Sequence, residues 1–139
     1  MSVKNVLDTS YPVSGGGIPE DVIFTFSDRI EPINLTLKFI KYGRMVMMEI
    51  PKFIGKKTQG GTSLVRSVQN IPDKYKPDMD SFCYNFMIAS GMSNVQGRIR
   101  VASTITIGRD DGSTGLVPLD DVGVVDIQNP ITVVYYTAN

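Results

Sequence analysis

The sequence of 139 residues contains no histidine, no tryptophan and only one cysteine, Cys83. Without histidine, the chain cannot form a Ser-His-Asp or Cys-His catalytic centre, a histidine-ligated zinc site or an HExxH protease motif. With a single cysteine, it can form neither a disulfide within the chain nor a cysteine-rich metal site. The remaining route to catalysis is a pair of carboxylates, as in a glycosidase, and nothing singles out a pair among Asp78/Asp80, Asp110/Asp111 and Asp120/Asp121. We therefore expect a protein that uses no metal and no cofactor and that is not an enzyme.

An excess of charge of one sign is also lacking, because 14 basic residues balance 14 acidic residues. This balance argues against a bulk electrostatic association with nucleic acid or with an anionic membrane. Residues 1–12 hold no apolar stretch of the kind found in signal peptides, and no run approaches the roughly 20 apolar residues of a transmembrane helix. We expect no nucleic-acid partner, no membrane insertion and synthesis without a signal peptide.

The length fits one domain, with a short segment set apart at the start of the chain. Residues 1–17 are largely polar and end in three consecutive glycines, which form a flexible joint. We predict that residues 1–17 are an arm or tether and that residues 18–139 are a single domain. The alternative is a terminal strand that docks on this domain through apolar residues such as Val3 and Val6.

The apolar residues recur with a period of two, which is typical of β-strands. Ile33, Leu35, Leu37 and Phe39 alternate with polar residues, as in a strand that has one face in solvent. No window shows the spacing of an amphipathic helix. The pattern predicts an all-β chain of about eight strands, a β-sandwich or barrel, at residues 22–26, 33–39, 44–50, 62–68, 82–89, 96–101, 104–107 and 131–137.

Two polar loops that contain glycine, at residues 55–61 and 109–114, are the candidate ligand-binding segments, because binding residues concentrate in loops held by rigid strands. Ordinary exposed turns are the alternative. Asp110 and Asp111 lack the spacing of a calcium loop, which favours hairpin-turn chemistry over a metal site there. The candidate ligand-binding residues are Lys56, Lys57, Gln59, Arg109, Asp110 and Asp111.

Arg98 and Arg100 flank Ile99 and should point outward from a strand whose other face carries Ile99 and Val101. This pattern is compatible with a solvated sheet face. The sharper interpretation is a binding patch for an anionic glycan or protein partner.

Two predicted strands are apolar on both faces. Met45 and Met47 share one face of their strand, Val46 and Met48 share the other, and the strand at residues 131–136 behaves in the same way. Such a strand is either central in a sandwich or covered by another subunit. We take the second interpretation as a hypothesis, which implies an oligomer.

Three segments resemble motifs of one family of viral domains. Residues 41–47 resemble a k-x-G-x-x-V-x-l hairpin, and residues 71–77 resemble an LP-x-x-Y-R-P loop. Residues 96–101, followed by 105–107, resemble a closing G-x-I-x-I hairpin, although Thr104 replaces its second glycine. These motifs, in this order, resemble the C-terminal tip (head) domains of the receptor-binding proteins of bacteriophage tail fibres and baseplates, and related viral surface proteins.

The resemblance implies a jelly-roll-like antiparallel β-sandwich, commonly a homotrimer, at a virion surface. It implies a module that binds a host surface component, either a saccharide or a protein. It also implies that Pro72, Tyr75 and Pro77 shape a loop and that Gly97 starts a strand. It transfers no binding residue, because the matching motifs are structural. The alternative is a structural or decorating protein of the virion with no ligand of its own.

Overall fold

The computed structural model describes residues 17–61, 64–79, 82–90, 93–110, 116–119 and 123–139. Within these residues the chain is mostly strand, with a single 3₁₀ turn at Asp73–Tyr75. The strands are β1 Glu20–Asp28, β2 Ile33–Tyr42, β3 Met45–Ile50, β4 Phe53–Gly55, β5 Val65–Ser67, β6 Phe82–Ser90, β7 Ser93–Val101, β8 Ile105–Arg109, β9 Val125–Ile127 and β10 Ile131–Tyr136.

The prediction of an all-β fold is confirmed, and each of the eight predicted strands has a counterpart. The structure adds two strands of three residues, β4 and β9, which pair with each other. A strand of three residues is too short to show a period-two pattern, and Pro51, which has no N–H to donate, lies between β3 and β4. This explains why the sequence pattern missed β4.

All strands pair antiparallel in one sheet of the order β10-β3-β2-β1-β5-β8-β7-β6-β9-β4. The two ends of this sheet curl toward other strands. At one end, β10 contacts β6. At the other end, a bridge between Ile30 and Lys57 joins the segment after β4 to the segment after β1. The sheet therefore closes almost into a barrel around one core.

Aromatic rings from three strands and one loop form the centre of the core. Phe24 and Phe39 lie on paired strands with ring centroids 6.0 Å apart, and Phe26 stacks on Phe53 at 6.4 Å. Tyr75 stacks on Phe39 with centroids 4.6 Å apart and planes within 9° of parallel. All five side chains are buried. The apolar residues that the period-two pattern placed on one face of their strand, such as Phe39, are thus the ones buried in the core.

The loop at residues 71–77, where Pro72, Tyr75 and Pro77 were expected to shape the chain, is fastened to the core by Tyr75. Pro72 has an extended backbone and precedes the 3₁₀ turn. The hydroxyl of Tyr75 donates a 2.5 Å hydrogen bond to Glu20 Oε1. Lys74 Nζ lies 2.6 Å from the same oxygen and forms an ion pair with it. The hydrogen bonds from Lys74 and Tyr75 lower the pKa of the Glu20 carboxyl below its usual range.

The expectation that Gly97 starts a strand is wrong. β7 begins at Ser93, so Gly97 lies in the strand interior, opposite Phe86 of β6. A Cβ atom at position 97 would lie 2.7 Å from Phe86 Cζ and 2.8 Å from two carbons of Ile88. The glycine is needed for this close packing and not to begin the strand.

The predicted arm at residues 1–17 lies outside the described residues except for Gly17. The N–H of Gly17 donates a 2.8 Å hydrogen bond to the carbonyl oxygen of Lys41.

Candidate functional site

The two predicted ligand-binding loops approach the same short segment, residues 116–119. Lys57 Nζ donates a 3.0 Å hydrogen bond to the carbonyl oxygen of Leu119, and Arg109 Nε donates a 3.3 Å bond to that of Pro118. The backbone of Arg109 also forms a β-bridge with Val117. The structure therefore brings Lys57 and Arg109 to residues 116–119, where both bind main-chain carbonyl groups of the protein itself.

The other predicted ligand-binding residues divide into covered and exposed side chains. Asp110 lies beside Arg98, with Oδ1 3.7 Å from Nε, and both side chains are largely covered. Lys56 is exposed, and its Nζ atom lies 3.7 Å from Glu31 Oε1. Gln59 is also exposed. Asp111 lies outside the described residues.

A groove beside residues 116–119 combines positively charged, hydroxyl and apolar side chains in one concave surface. It lies on the outward face of β5, β8 and β7 and has a volume of about 450 Å³. We call it the arginine groove. It is lined by Leu64, Arg66, Arg100, Ala102, Thr104, Thr106 and Leu116.

The strand register places the two arginines in a single row across the sheet. Arg66 of β5 lies opposite Thr106 of β8, and Thr106 lies opposite Arg100 of β7. Because neighbouring strands are about 4.8 Å apart, the two arginine Cα atoms are about 10 Å apart, with a threonine between them. The neighbours Val65 and Ile107 are buried in the core, which directs this row outward.

Thr106 forms the floor of the arginine groove. It is only 8 % exposed although it points away from the core. The leucine side chains of Leu64 and Leu116 stand at one end of the groove, near Gly108, where a Cβ atom would lie 3.0 Å from Leu64 Cδ2 and 3.2 Å from Leu116 Cβ. The absence of a side chain at Gly108 lets these leucines settle against the strand. The groove thus has apolar walls and a polar floor.

Asp28 orients one of the two arginines. Its Oδ2 atom lies 3.6 Å from Arg66 Nε, and its side chain is mostly covered. Asp28 has a backbone φ of 82°, a left-handed conformation that aspartate tolerates better than most residues. The hydroxyl of Thr58 donates a 3.2 Å hydrogen bond to its carbonyl oxygen. The carboxylate that faces Arg66 is therefore held at the end of β1 by fixed contacts.

The sequence pattern predicted one of the two arginines of this groove. It predicted that Arg98 and Arg100 face outward, and both belong to the outer face of β7, opposite Asn85 and Cys83 of β6. Arg98 is largely covered beside Asp110, whereas Arg100 is exposed. Arg66 was missed, because only the register of β5 against β8 shows that it shares a row with Arg100.

A second surface feature is an apolar area on the outer face of β2, β3 and β10. Its cross-strand pairs are Val134 with Met47, Met47 with Ile40, Tyr136 with Met45 and Met45 with Tyr42. Tyr136 is 55 % exposed and Val134 is 37 % exposed. We call this set of six residues the apolar face: Ile40, Tyr42, Met45, Met47, Val134 and Tyr136.

The opposite faces of the same strands are in the core. Val46 and Met48 of β3 and Val133 and Tyr135 of β10 are buried. This confirms that β3 and β10 carry apolar residues on both faces, with one face inside the protein. On the other face, Val134 and Tyr136 are exposed.

Two further observations bear on the class of protein. Among the described residues, no group of three or more Asp, Glu or Cys side chains is placed to hold a metal ion. In the same part of the chain, no helix is long and apolar enough to cross a membrane. Comparison of the sequence with protein-family models and with curated proteins found no match.

Proposed function

We propose that this protein is a recognition module of a virion surface that binds a saccharide of the host surface and works as an oligomer. The observation that carries the proposal is the arginine groove. It combines charged donors, hydroxyl groups and leucine walls in one concave site, and its volume is within the usual range of ligand pockets, roughly 300–1,000 Å³. The resemblance of three segments to viral tip domains supports the same role.

The mechanism in this proposal is binding without chemistry. Hydroxyl groups of a sugar would exchange hydrogen bonds with Thr104 and Thr106, and the carbon-bound face of the ring would pack on Leu64 or Leu116. The groove lies on strands that are paired on both sides, so its geometry exists before the ligand arrives. Such preorganisation reduces the entropy cost of binding.

The apolar face supports the oligomeric part of the proposal. A contiguous exposed apolar area with a polar border marks interaction surfaces. The border carries both signs of charge, because Lys38 lies opposite Glu49 in the adjoining row. The whole chain has a formal net charge of zero, so identical copies do not repel one another. We propose that another copy of this chain covers the face, in the trimer that the resemblance implies.

Binding of labelled full-length protein to a glycan array and to a panel of host cells tests the recognition function. Ala102→Trp adds a large side chain within the groove and should abolish binding to both. Val68→Trp changes an exposed residue outside the groove and should leave binding unchanged. If the wild-type protein binds no glycan and no cell, the recognition function is refuted.

A structural or decorating role in the virion is the second candidate, and the apolar face favours it. This role requires only another chain on that face and no ligand in the arginine groove. Its distinguishing result is an oligomer, or a complex with virion components, that forms without any binding to glycans or cells.

A further inference from the structure

The charges and hydroxyl groups around the arginine groove indicate which saccharides it would select. Two guanidinium groups line the groove, and none of the described residues that line it is acidic. A guanidinium group presents several N–H donors in a rigid plane, which pairs with two oxygens of a carboxylate or of a similar anion.

The ion pair with Asp28 makes one of these arginines a defined binding element. Asp28 Oδ2 lies 3.6 Å from the Nε atom of Arg66, an ion pair that favours one orientation of the guanidinium plane. A long side chain held in this way loses less rotational freedom when a ligand binds. Arg100, in the same row, reaches the groove from the opposite side of Thr106.

We propose that the arginine groove binds an acidic saccharide, with the anionic group of the sugar between Arg66 and Arg100. Neutral hydroxyl groups of the same sugar bond to Thr106 and Thr104, and its apolar face packs on Leu64 or Leu116. This inference rests on the proposed saccharide-binding function and adds the class of ligand. The anionic group is a carboxylate, as in sialic or uronic acids, or a sulfate ester, which offers similar oxygens.

The test compares matched sugars that differ only in the anionic group. Binding of the full-length protein to sialyllactose, a uronic-acid disaccharide and a sulfated disaccharide is measured by calorimetry beside the corresponding neutral sugars. At least one acidic sugar should bind, and its neutral counterpart should bind about 10- to 100-fold more weakly, the loss typical of hydrogen bonds to a charged group. Comparing the three acidic sugars identifies the anionic group.

Substitutions in the groove assign the effect to its two arginines. Arg66→Gln and Arg100→Gln should each weaken acidic-sugar binding by about 10-fold or more. Arg66→Lys keeps the charge and a partner for Asp28 but loses the planar fork, so it should also weaken binding. Lys52→Gln removes an exposed positive charge elsewhere and should have no effect. An unchanged melting temperature shows that each variant remains folded.

Four results would overturn the inference, and the last of them would also overturn the proposed function. Equal binding of neutral and acidic sugars would refute the charge selection while leaving saccharide recognition intact. Binding of acidic sugars that Arg66→Gln and Arg100→Gln do not change, in folded variants, would place the anion elsewhere. Equal binding of double-stranded DNA and acidic sugars would show a general cation surface instead of a saccharide site. Absence of binding to any sugar or cell would refute the proposed function itself.

Discussion

Tyr135 donates a 2.7 Å hydrogen bond from its hydroxyl group to the main-chain carbonyl oxygen of Tyr75. Both side chains are buried, and the two residues are 60 positions apart in the sequence. The bond ties the 71–77 loop to the last strand. It therefore joins the loop motif, one of the segments on which the resemblance to viral tip domains rests, to the terminal strand.

Tyr135→Phe should lower the free energy of unfolding by about 1–2 kcal/mol, because it removes one buried hydrogen bond and leaves the Tyr75 carbonyl oxygen without this donor. Tyr136→Phe is the matched control, since the Tyr136 side chain is exposed and should tolerate the loss of its hydroxyl group. Urea unfolding at one fixed protein concentration measures both. Equal stability of the two variants would show that the hydrogen bond contributes nothing.

Tyr135 also predicts how stability changes at alkaline pH. Burial raises the pKa of its hydroxyl group well above the ordinary value of 10.0, and burial likewise raises the pKa of Tyr75 and of Tyr84. The folded state keeps these protons after the unfolded chain has released them. Stability is therefore complete below about pH 10 and falls as pH rises further.

Unfolding experiments in urea from neutral pH to about pH 11 measure this dependence. The slope of the unfolding free energy against pH, above the ordinary tyrosine value of 10.0, should be shallower in Tyr135→Phe than in the wild-type protein. A wild-type protein whose stability stays constant across this range would contradict the assignment of buried, protonated tyrosines.

The fold was largely predictable from the sequence because local alternation decides which face of a strand is buried. The inward residues Leu35, Leu37 and Phe39 were recognised in this way. β4 and β9 were not, since each has three residues and is defined by its pairing with the other. Pairing between distant segments is not recorded in a local pattern.

The candidate site was less predictable for the same reason. Composition and loop position selected Lys57 and Arg109, but their cationic groups bind carbonyl oxygens of residues 116–119. The arginine groove depends on the register that sets Arg66 and Arg100 on either side of Thr106. Only Arg100 carried a signal in the sequence, as an outward position beside Ile99.

Gly97→Ala should destabilise the protein by about 1–3 kcal/mol, the usual cost of adding a methyl group to a packed interior. Its Cβ atom would lie within 2.8 Å of carbon atoms of Phe86 and Ile88. Gly123→Ala is the control, because a Cβ atom there meets no neighbour within 4 Å. Thermal unfolding of both variants checks the prediction. A Gly97→Ala variant as stable as Gly123→Ala would show that β6 and β7 have room between their facing side chains.

Tyr136→Lys should break the proposed oligomer without unfolding the chain. Tyr136 is the most exposed aromatic residue of the apolar face, so a monomer should accept a lysine there. In an oligomer, the change replaces a buried ring with a charge and should weaken association at least 10-fold, the equivalent of about 1.4 kcal/mol.

Light scattering on a sizing column, over a range of concentrations, measures the molar mass. The wild-type protein should elute with the mass of three chains, and Tyr136→Lys should shift toward the 15.3 kDa of one chain. Val68→Lys places the same charge at an exposed apolar position outside the apolar face and should keep the wild-type mass. A wild-type protein that is monomeric at every concentration would refute the proposed trimer. In that case the apolar face would need a partner of another kind. The resemblance to tip domains would also be weaker, because those domains are commonly trimers.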